Sequence, residues 1–319
     1  MKTVALGRTG MSASQVGLGT WAFASQIYGT VAQSEAVSTI RFALENGVTL
    51  YDTAPLYGSA TEDGISETIL AAGLGSERDD VLISSKFGRY SSDGATADFS
   101  ARRARESVEG SLARLRTDRI DVLFFHSPFG AHEIHDDVWA ELDRLKSEGK
   151  IRSIGHSISM FKDTESMARN WSRERRIDVI QVVYSLMNRE SAKLINDAAK
   201  DGTAIFARES LANGFLSGAI TRDTVFSDNN INKRYPAEEI AERVDYVESL
   251  SFLVRDDLAN MAQASVRWVL DNPDVSLILS GAKNRLELAD WIAGANARGL
   301  SDAEHLRART LHARDFQAA

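Results

Sequence analysis

"QVGLGTWAFASQIYGT" (15–30) decides between two architectures. Its start, "QVGLGTW" (15–21), reads as a short apolar strand. A doubly wound dinucleotide-binding sheet would need a glycine-rich turn straight after that strand, opening a helix. Here "GLGT" runs into "WAFASQIYGT", which starts no helix, so that fingerprint is missing. The stretch instead reads as the first strand of a barrel.

Working outward, short apolar runs recur between longer amphipathic segments. Strands are expected at "VTLYDT" (48–53), "VLISSKF" (81–87), "IDVLFFH" (120–126), "IRSIGHS" (151–157), "IDVIQVV" (177–183), "GTAIFAR" (202–208) and "VSLILSG" (275–281). Several are apolar nearly throughout, as parallel strands covered on both faces are. Helices are expected between them at 34–47, 100–116, 136–150, 191–202 and 258–273. The first carries Ser34 as a candidate cap and Gly47 as a stop. The second puts Ala104, Val108, Leu112 and Leu115 on one stripe. Eight strands with intervening helices argue for an α/β protein, a (β/α)8 TIM barrel. "KTVALGRTGMSAS" (2–14) reads as an N-terminal β-hairpin cap, 209–253 as an insertion, and 301–316 as an extra C-terminal helix. One domain spanning 1–319 is the economical reading.

The bulk numbers narrow the function. The 319 residues are 43% hydrophobic and 26% charged, ordinary for a globular chain. With no cysteine there can be no thiol nucleophile, iron–sulfur cluster or cysteine-ligated zinc. A net charge of −8 argues against nucleic acid, and the basic "RNWSRERR" (169–176) reads as a solvated helix end. No apolar run reaches the roughly 18 residues that span a bilayer, and the N-terminus lacks a signal-peptide core, so a cytoplasmic setting is expected.

In such a barrel, chemistry gathers where the strands end. Asp52, Lys86, His126 and Ser157 close strands, Gln181 lies in one, Ser280 and Gly281 end the last, and Tyr57 follows in the loop of "YDTAPLYG" (51–58). A buried ammonium at Lys86 needs a partner, and Asp52 is available. A phenol titrates near 10, and a neighbouring ammonium would lower that value. Tyr57 could then protonate a carbonyl oxygen while His126 hydrogen-bonds it. No side chain in this set can supply a hydride, so an organic cofactor must.

These motifs resemble the aldo-keto reductase superfamily, cofactor-dependent (β/α)8 barrels. The resemblance rests on "DTAPLYG", "GISETIL" (64–70), "SSKF" (84–87), "LFFHSP" (123–128) and "GKIRSIGHS" (149–157). It implies a catalytic tetrad of Asp52, Tyr57, Lys86 and His126, with Tyr57 as general acid/base. It also implies a nicotinamide dinucleotide, with Gly19, Thr20, Trp21 and Asp52 beside it and Ser157 and Gln181 holding the carboxamide. Tyr184 would stack beneath the nicotinamide. Ser210, Leu211, Asn213 and Gly214 would wrap the pyrophosphate, and Gly281, Lys283 and Glu287 would line the adenosine side. By resemblance NADP(H) is preferred and NAD(H) is the alternative. Lys283 and Arg285 suit a 2′-phosphate, whereas Glu287 suits a free hydroxyl.

The chain also departs from the family. Ile158 stands where Asn usually follows Ser157, leaving His156 or Ser159 as substitutes. Trp21, Tyr28, Tyr57, Phe87, His126 and Phe129 are expected to wall a pocket for a small carbonyl or alcohol substrate, with "NKRYPAEE" (232–239) as a lid. A cofactor-sensing regulatory subunit of a protein complex is the second reading. A metal-dependent hydrolase is a distant third, because His132 and His135 lie in a loop. Oligomeric state is not legible.

Overall fold

The computed structural model describes residues 1–24 and 29–316. Two short strands, β1 (Thr3–Ala5) and β2 (Ser12–Ser14), pair antiparallel as the expected hairpin. Eight parallel strands follow: β3 (Val16–Gly19), β4 (Leu50–Asp52), β5 (Leu82–Phe87), β6 (Ile120–His126), β7 (Ile151–Ser157), β8 (Val179–Val183), β9 (Ala204–Arg208) and β10 (Leu277–Ser280). They neighbour one another in chain order, and β10 closes on β3 to complete a barrel. Each lies within an expected segment, trimmed by at most two residues at an end.

Helices α1 (Gln33–Glu45), α2 (Ile65–Leu74), α3 (Ala101–Leu115), α4 (Val138–Ser147), α5 (Phe161–Arg173) and α6 (Ala192–Lys200) each follow a strand. The insertion after β9 carries α7 (Ala237–Ser249); then come α8 (Met261–Leu270), α9 (Arg285–Asn296) after β10, and the extra α10 (Asp302–Leu311). Ser100 caps α3 by accepting from the Arg103 N–H at 3.2 Å, and the expected stripe on that helix is buried. Helix starts shift by one to three residues from expectation, and two of the shifts have a visible cause in the capping. No side chain caps α1, which begins one residue before Ser34. Helix α8 begins three residues late because Asn260 takes the cap, accepting from the Gln263 N–H at 2.9 Å.

Side-chain alternation produces two cores. Inside the barrel lie Leu50, Val122, Phe124, Val179, Ala204, Phe206, Leu277 and Leu279. Between barrel and helices lies a larger one that includes Phe87, Phe99, Phe125 and Trp171. The hairpin plugs the lower end of the inner core with Leu6, Met11 and Ala13. Gly7 makes this approach possible. Its φ is +50°, and a Cβ there would meet the Gly202 carbonyl oxygen at 2.3 Å.

Register then sets the height of the polar residues. Gly19 pairs with Asp52 and Asp52 with Ser84, across β3, β4 and β5. His126 pairs with Ser157 and Ser157 with Gln181, across β6, β7 and β8.

One buried charge braces β5, β6 and β7. Asp121, fully buried, accepts from the Ile83 N–H at 2.8 Å, Arg78 Nη2 at 3.2 Å and Arg152 Nη1 at 2.9 Å. Removing the carboxylate would leave Arg78 and a buried N–H without it, a loss of about 3–5 kcal/mol. Asp121→Ala should lower the free energy of urea unfolding by that amount; a change below about 1 kcal/mol would show the brace to be dispensable.

Candidate active site

The site begins with a buried ammonium. Lys86, 1% exposed, is the penultimate residue of β5 and faces the barrel axis. Its Nζ donates to Asp52 Oδ2 at 2.6 Å and to the Thr53 carbonyl at 2.9 Å. The other oxygen of Asp52 accepts from Ser84 Oγ at 2.7 Å and Gln181 Nε2 at 3.1 Å. Ser157 Oγ in turn donates to Gln181 Oε1 at 3.1 Å. Carboxylate, ammonium, amide and hydroxyls thus form one connected floor. Thr20 lies beside it, its N–H and hydroxyl both donating to the Asp52 carbonyl.

Tyr57 covers this floor. Lys86 Nζ lies 4.8 Å from the centre of its ring. The His126 ring meets it edge-on at 5.8 Å, and Trp21 stacks on it at 6.2 Å with planes 22° apart. The four expected tetrad residues are therefore brought together.

Their protonation follows from position. Burial pulls the Lys86 pKa down, yet the charges of Asp52 and Tyr57 and hydrogen bonds to both outweigh it, leaving the group above its usual value. For Tyr57, burial raises the pKa most; Lys86 lowers it by charge and hydrogen bond, and Asp52 raises it again. The net shift is upward. Lys86 acts in the expected direction, but burial overrides it, so the phenol keeps its proton at neutral pH. Burial, then Lys86, Arg89 and Arg208, push His126 well below its ordinary value, so its imidazole is neutral.

Several other expected residues point elsewhere, and strand parity explains why. Lys86 faces inward, so Phe87 faces outward and packs on Phe99 and Phe125 at 5.7 and 4.7 Å rather than lining a pocket. Gln181 faces inward, so Tyr184, three residues on, faces outward, its ring 5.1 Å from Trp268 on α8. It is not beside the tetrad. His156 and Ile158, flanking Ser157, also face the outer core: His156 packs on Trp171 at 5.1 Å. Ser159 Oγ is engaged by the Pro128 carbonyl at 2.7 Å. Neither side chain hydrogen-bonds to the floor among the described residues. Phe129 lies half-exposed at the rim, beneath Arg89 at 4.7 Å. Tyr28 lies outside the described residues.

The remaining expected residues lie beyond β9 and β10. Asn213 and Gly214 both have positive φ, 55° and 95°. The buried Ser210 hydroxyl has no hydrogen-bond partner among the described residues. A buried hydroxyl donor in a loop of this shape fits a phosphate oxygen. Leu211 is part of the same loop, and the Asn213 carbonyl accepts from Asn232 Nδ2 at 2.9 Å, tying it to the segment expected as a lid. A Cβ on Gly281 would enter open space. Glu287 accepts from the Lys283 N–H at 2.9 Å and lies 3.6 Å from its ammonium. Among the described residues no group of three metal-ligating side chains gathers, and no helix is long and apolar enough to cross a membrane.

The aldo/keto reductase family profile matches residues 15–311. The chain belongs to the aldo/keto reductase family. It is thus placed among oxidoreductases that act on carbonyls. It is 31% identical over 324 residues to the NADH-specific methylglyoxal reductase of Escherichia coli K12, covering 95% of this chain and 96% of that one. It is 30% identical over 307 residues to the aldo-keto reductase YhdN of Bacillus subtilis strain 168, covering 92% and 89%. The solved glycerol dehydrogenase of Gluconobacter oxydans superposes with a TM-score of 0.81 at 26% identity, covering 98% and 96%.

Two residues of this aldo/keto reductase escape a reading by motif. Ser84 holds Asp52, although "SSKF" draws notice for its lysine. Arg208 ends β9 within electrostatic reach of both Tyr57 and His126. The rule that picks out polar strand ends also picks it out, once applied to the seventh barrel strand.

The two buried histidines carry a pH consequence. Burial holds His156 down to about 3, and neither of its ring nitrogens has a hydrogen-bond partner among the described residues. An unfolded histidine takes up a proton near 6.5. The unfolded chain therefore binds more protons below that pH, and stability present above about 6.5 is lost as pH falls toward 3. His156→Leu should narrow the difference in unfolding free energy between about pH 7.5 and pH 5 by roughly 2 kcal/mol. An unchanged difference would mean that His156 is protonated in the folded protein.

Proposed function

We propose that this chain is an NAD(P)H-dependent oxidoreductase interconverting an aldehyde, ketone or sugar carbonyl and its alcohol, with Tyr57 as general acid/base. The observation that carries the reading is the buried Lys86, 2.6 Å from Asp52 and beneath the Tyr57 ring. The phenol, kept protonated, donates to the carbonyl oxygen. As it does so it becomes a phenolate, and the ammonium 4.8 Å from its ring centre stabilises the new charge. Asp52, held by Ser84 and Gln181, keeps Lys86 charged and in place. His126, being neutral, can hydrogen-bond the same oxygen without competing as a cation. Trp21 forms an apolar wall that excludes water.

A nicotinamide dinucleotide, when bound, supplies the hydride. Ser157 and Gln181 would hold its carboxamide end, the Ser210–Gly214 loop its phosphates, and the Gly281–Glu287 segment its adenosine end. The Lys283–Glu287 pairing qualifies the expected preference for NADP(H): the carboxylate occupies the cation that a 2′-phosphate would use. We therefore propose that both dinucleotides bind, with Glu287 as the brake on the phosphorylated one. Relatives named for methylglyoxal and glycerol put short, oxygen-rich aldehydes and ketones first among substrates to try. A regulatory subunit would call for a broad apolar outer face. The exposed large apolar residues among those described, such as Phe129, Val225, Leu286 and Leu306, fall on separate segments.

Tyr57→Phe should reduce carbonyl turnover by at least about a hundredfold across short aldehydes, ketones and sugars, followed by nicotinamide absorbance. Cofactor dissociation constants should stay within about twofold of wild type. Turnover equal to wild type would remove Tyr57 from the chemistry.

Glu287→Gln should raise affinity for NADPH relative to NADH by roughly tenfold, read by fluorescence titration. An unmoved ratio would place the 2′ position away from Glu287.

A further inference from the structure

The loss of a side-chain donor at Ile158 has a counterpart across the barrel mouth. Ile158 is buried in the outer core, so position 158 offers the floor no polar side chain. Its backbone still belongs to the site: its N–H donates to the Gln181 carbonyl at 2.9 Å. Its own carbonyl accepts from Arg208 Nη2 at 3.0 Å.

Arg208 reaches this place for structural reasons. Gln181 pairs with Phe206 and Val183 with Arg208, between β8 and β9. Phe206 fills the inner core against Phe124 at 5.9 Å. Arg208, two residues on, projects to the same side, above the level of Gln181. Its guanidinium then crosses β8 to the end of β7. Glu209 forms an ion pair with Nη1, fixing the other branch of the fork. A guanidinium has five N–H donors, and the two hydrogen bonds to Ile158 and Glu209 leave further donors for a ligand. The group is only 21% exposed at the side chain, so it is partly desolvated.

We propose that Arg208 is a positioning residue that replaces the missing amide at 158, donating to the carboxamide oxygen of the nicotinamide ring. The inference rests on the reading of this chain as a dinucleotide enzyme. A planar, charged donor suits a neutral amide oxygen, and a charge-assisted hydrogen bond is stronger than the neutral one it replaces. Its anchoring by Ile158 and Glu209 limits the freedom lost on binding.

The test compares two ligands that differ only in the nicotinamide end. Dissociation constants for NADH and NADPH, and for ADP-ribose and its 2′-phosphate, are measured calorimetrically with wild type, Arg208→Met and Arg208→Lys. Arg208→Met should weaken the dinucleotides by roughly ten- to a hundredfold and leave the ADP-riboses within about twofold. Arg208→Lys, keeping charge but not the fork, should recover only part of the loss. Equal losses for both ligand types would overturn the proposal, since the effect would then be on the loop or the fold. Unchanged dinucleotide binding with a raised KM for the carbonyl compound would overturn it too, assigning Arg208 to substrate. If wild type bound neither ligand type, the dinucleotide reading itself would fall, and this inference with it.

Discussion

An ammonium cannot be buried alone, and the burial of Lys86 organises everything near it. Removing its charge from water costs several kcal/mol unless partners replace the lost hydration. Asp52 and the Thr53 carbonyl do so. Asp52 in turn must be held, and Ser84 and Gln181 hold it. Each demand is met by a residue on a different strand: β4, β5 and β8. The site is therefore a product of barrel closure and register, since a slip of one residue on any of those strands would turn a member of the network outward.

The same parity explains what the sequence could and could not reveal. The eight barrel strands were legible because each is a short, nearly continuous apolar run, with "IDVLFFH" buried at every position. The clustering of Asp52, Tyr57, Lys86 and His126 is legible because charged and polar residues close such runs, which packing alone does not explain. The hairpin, the insertion and the extra helix also stood out, as segments that do not fit the repeat. Phe87 and Tyr184 turn outward for a common reason. An aromatic near a strand end looks alike on either face, and only the neighbour known to point inward, Lys86 or Gln181, settles its direction. Arg208 lacks a motif of its own and becomes visible once β9 is placed beside β8.

Protonation was less legible still. That Lys86 opposes the rise of the Tyr57 pKa follows from charge alone. That burial outweighs it follows only from how closely Trp21, His126 and the barrel wall surround the phenol. For the proposed reaction the balance suits a donor better than an acceptor: a phenol that keeps its proton can give it to an oxygen that gains electrons.

The hairpin plug bears on how the chain reaches this state. Leu6, Met11 and Ala13 precede every barrel strand in the chain, yet the inner-core residues they cover extend to Leu279. Arg8, between them, binds the carbonyls of Ser172, Ile177 and Asp201. The floor of the barrel therefore cannot be sealed until β10 has been synthesised. Until then the apolar side chains of the hairpin wait without their partners, a long-range closure of the kind that slows folding and exposes chains to aggregation. The last barrel strand completes the burial of side chains that precede the first.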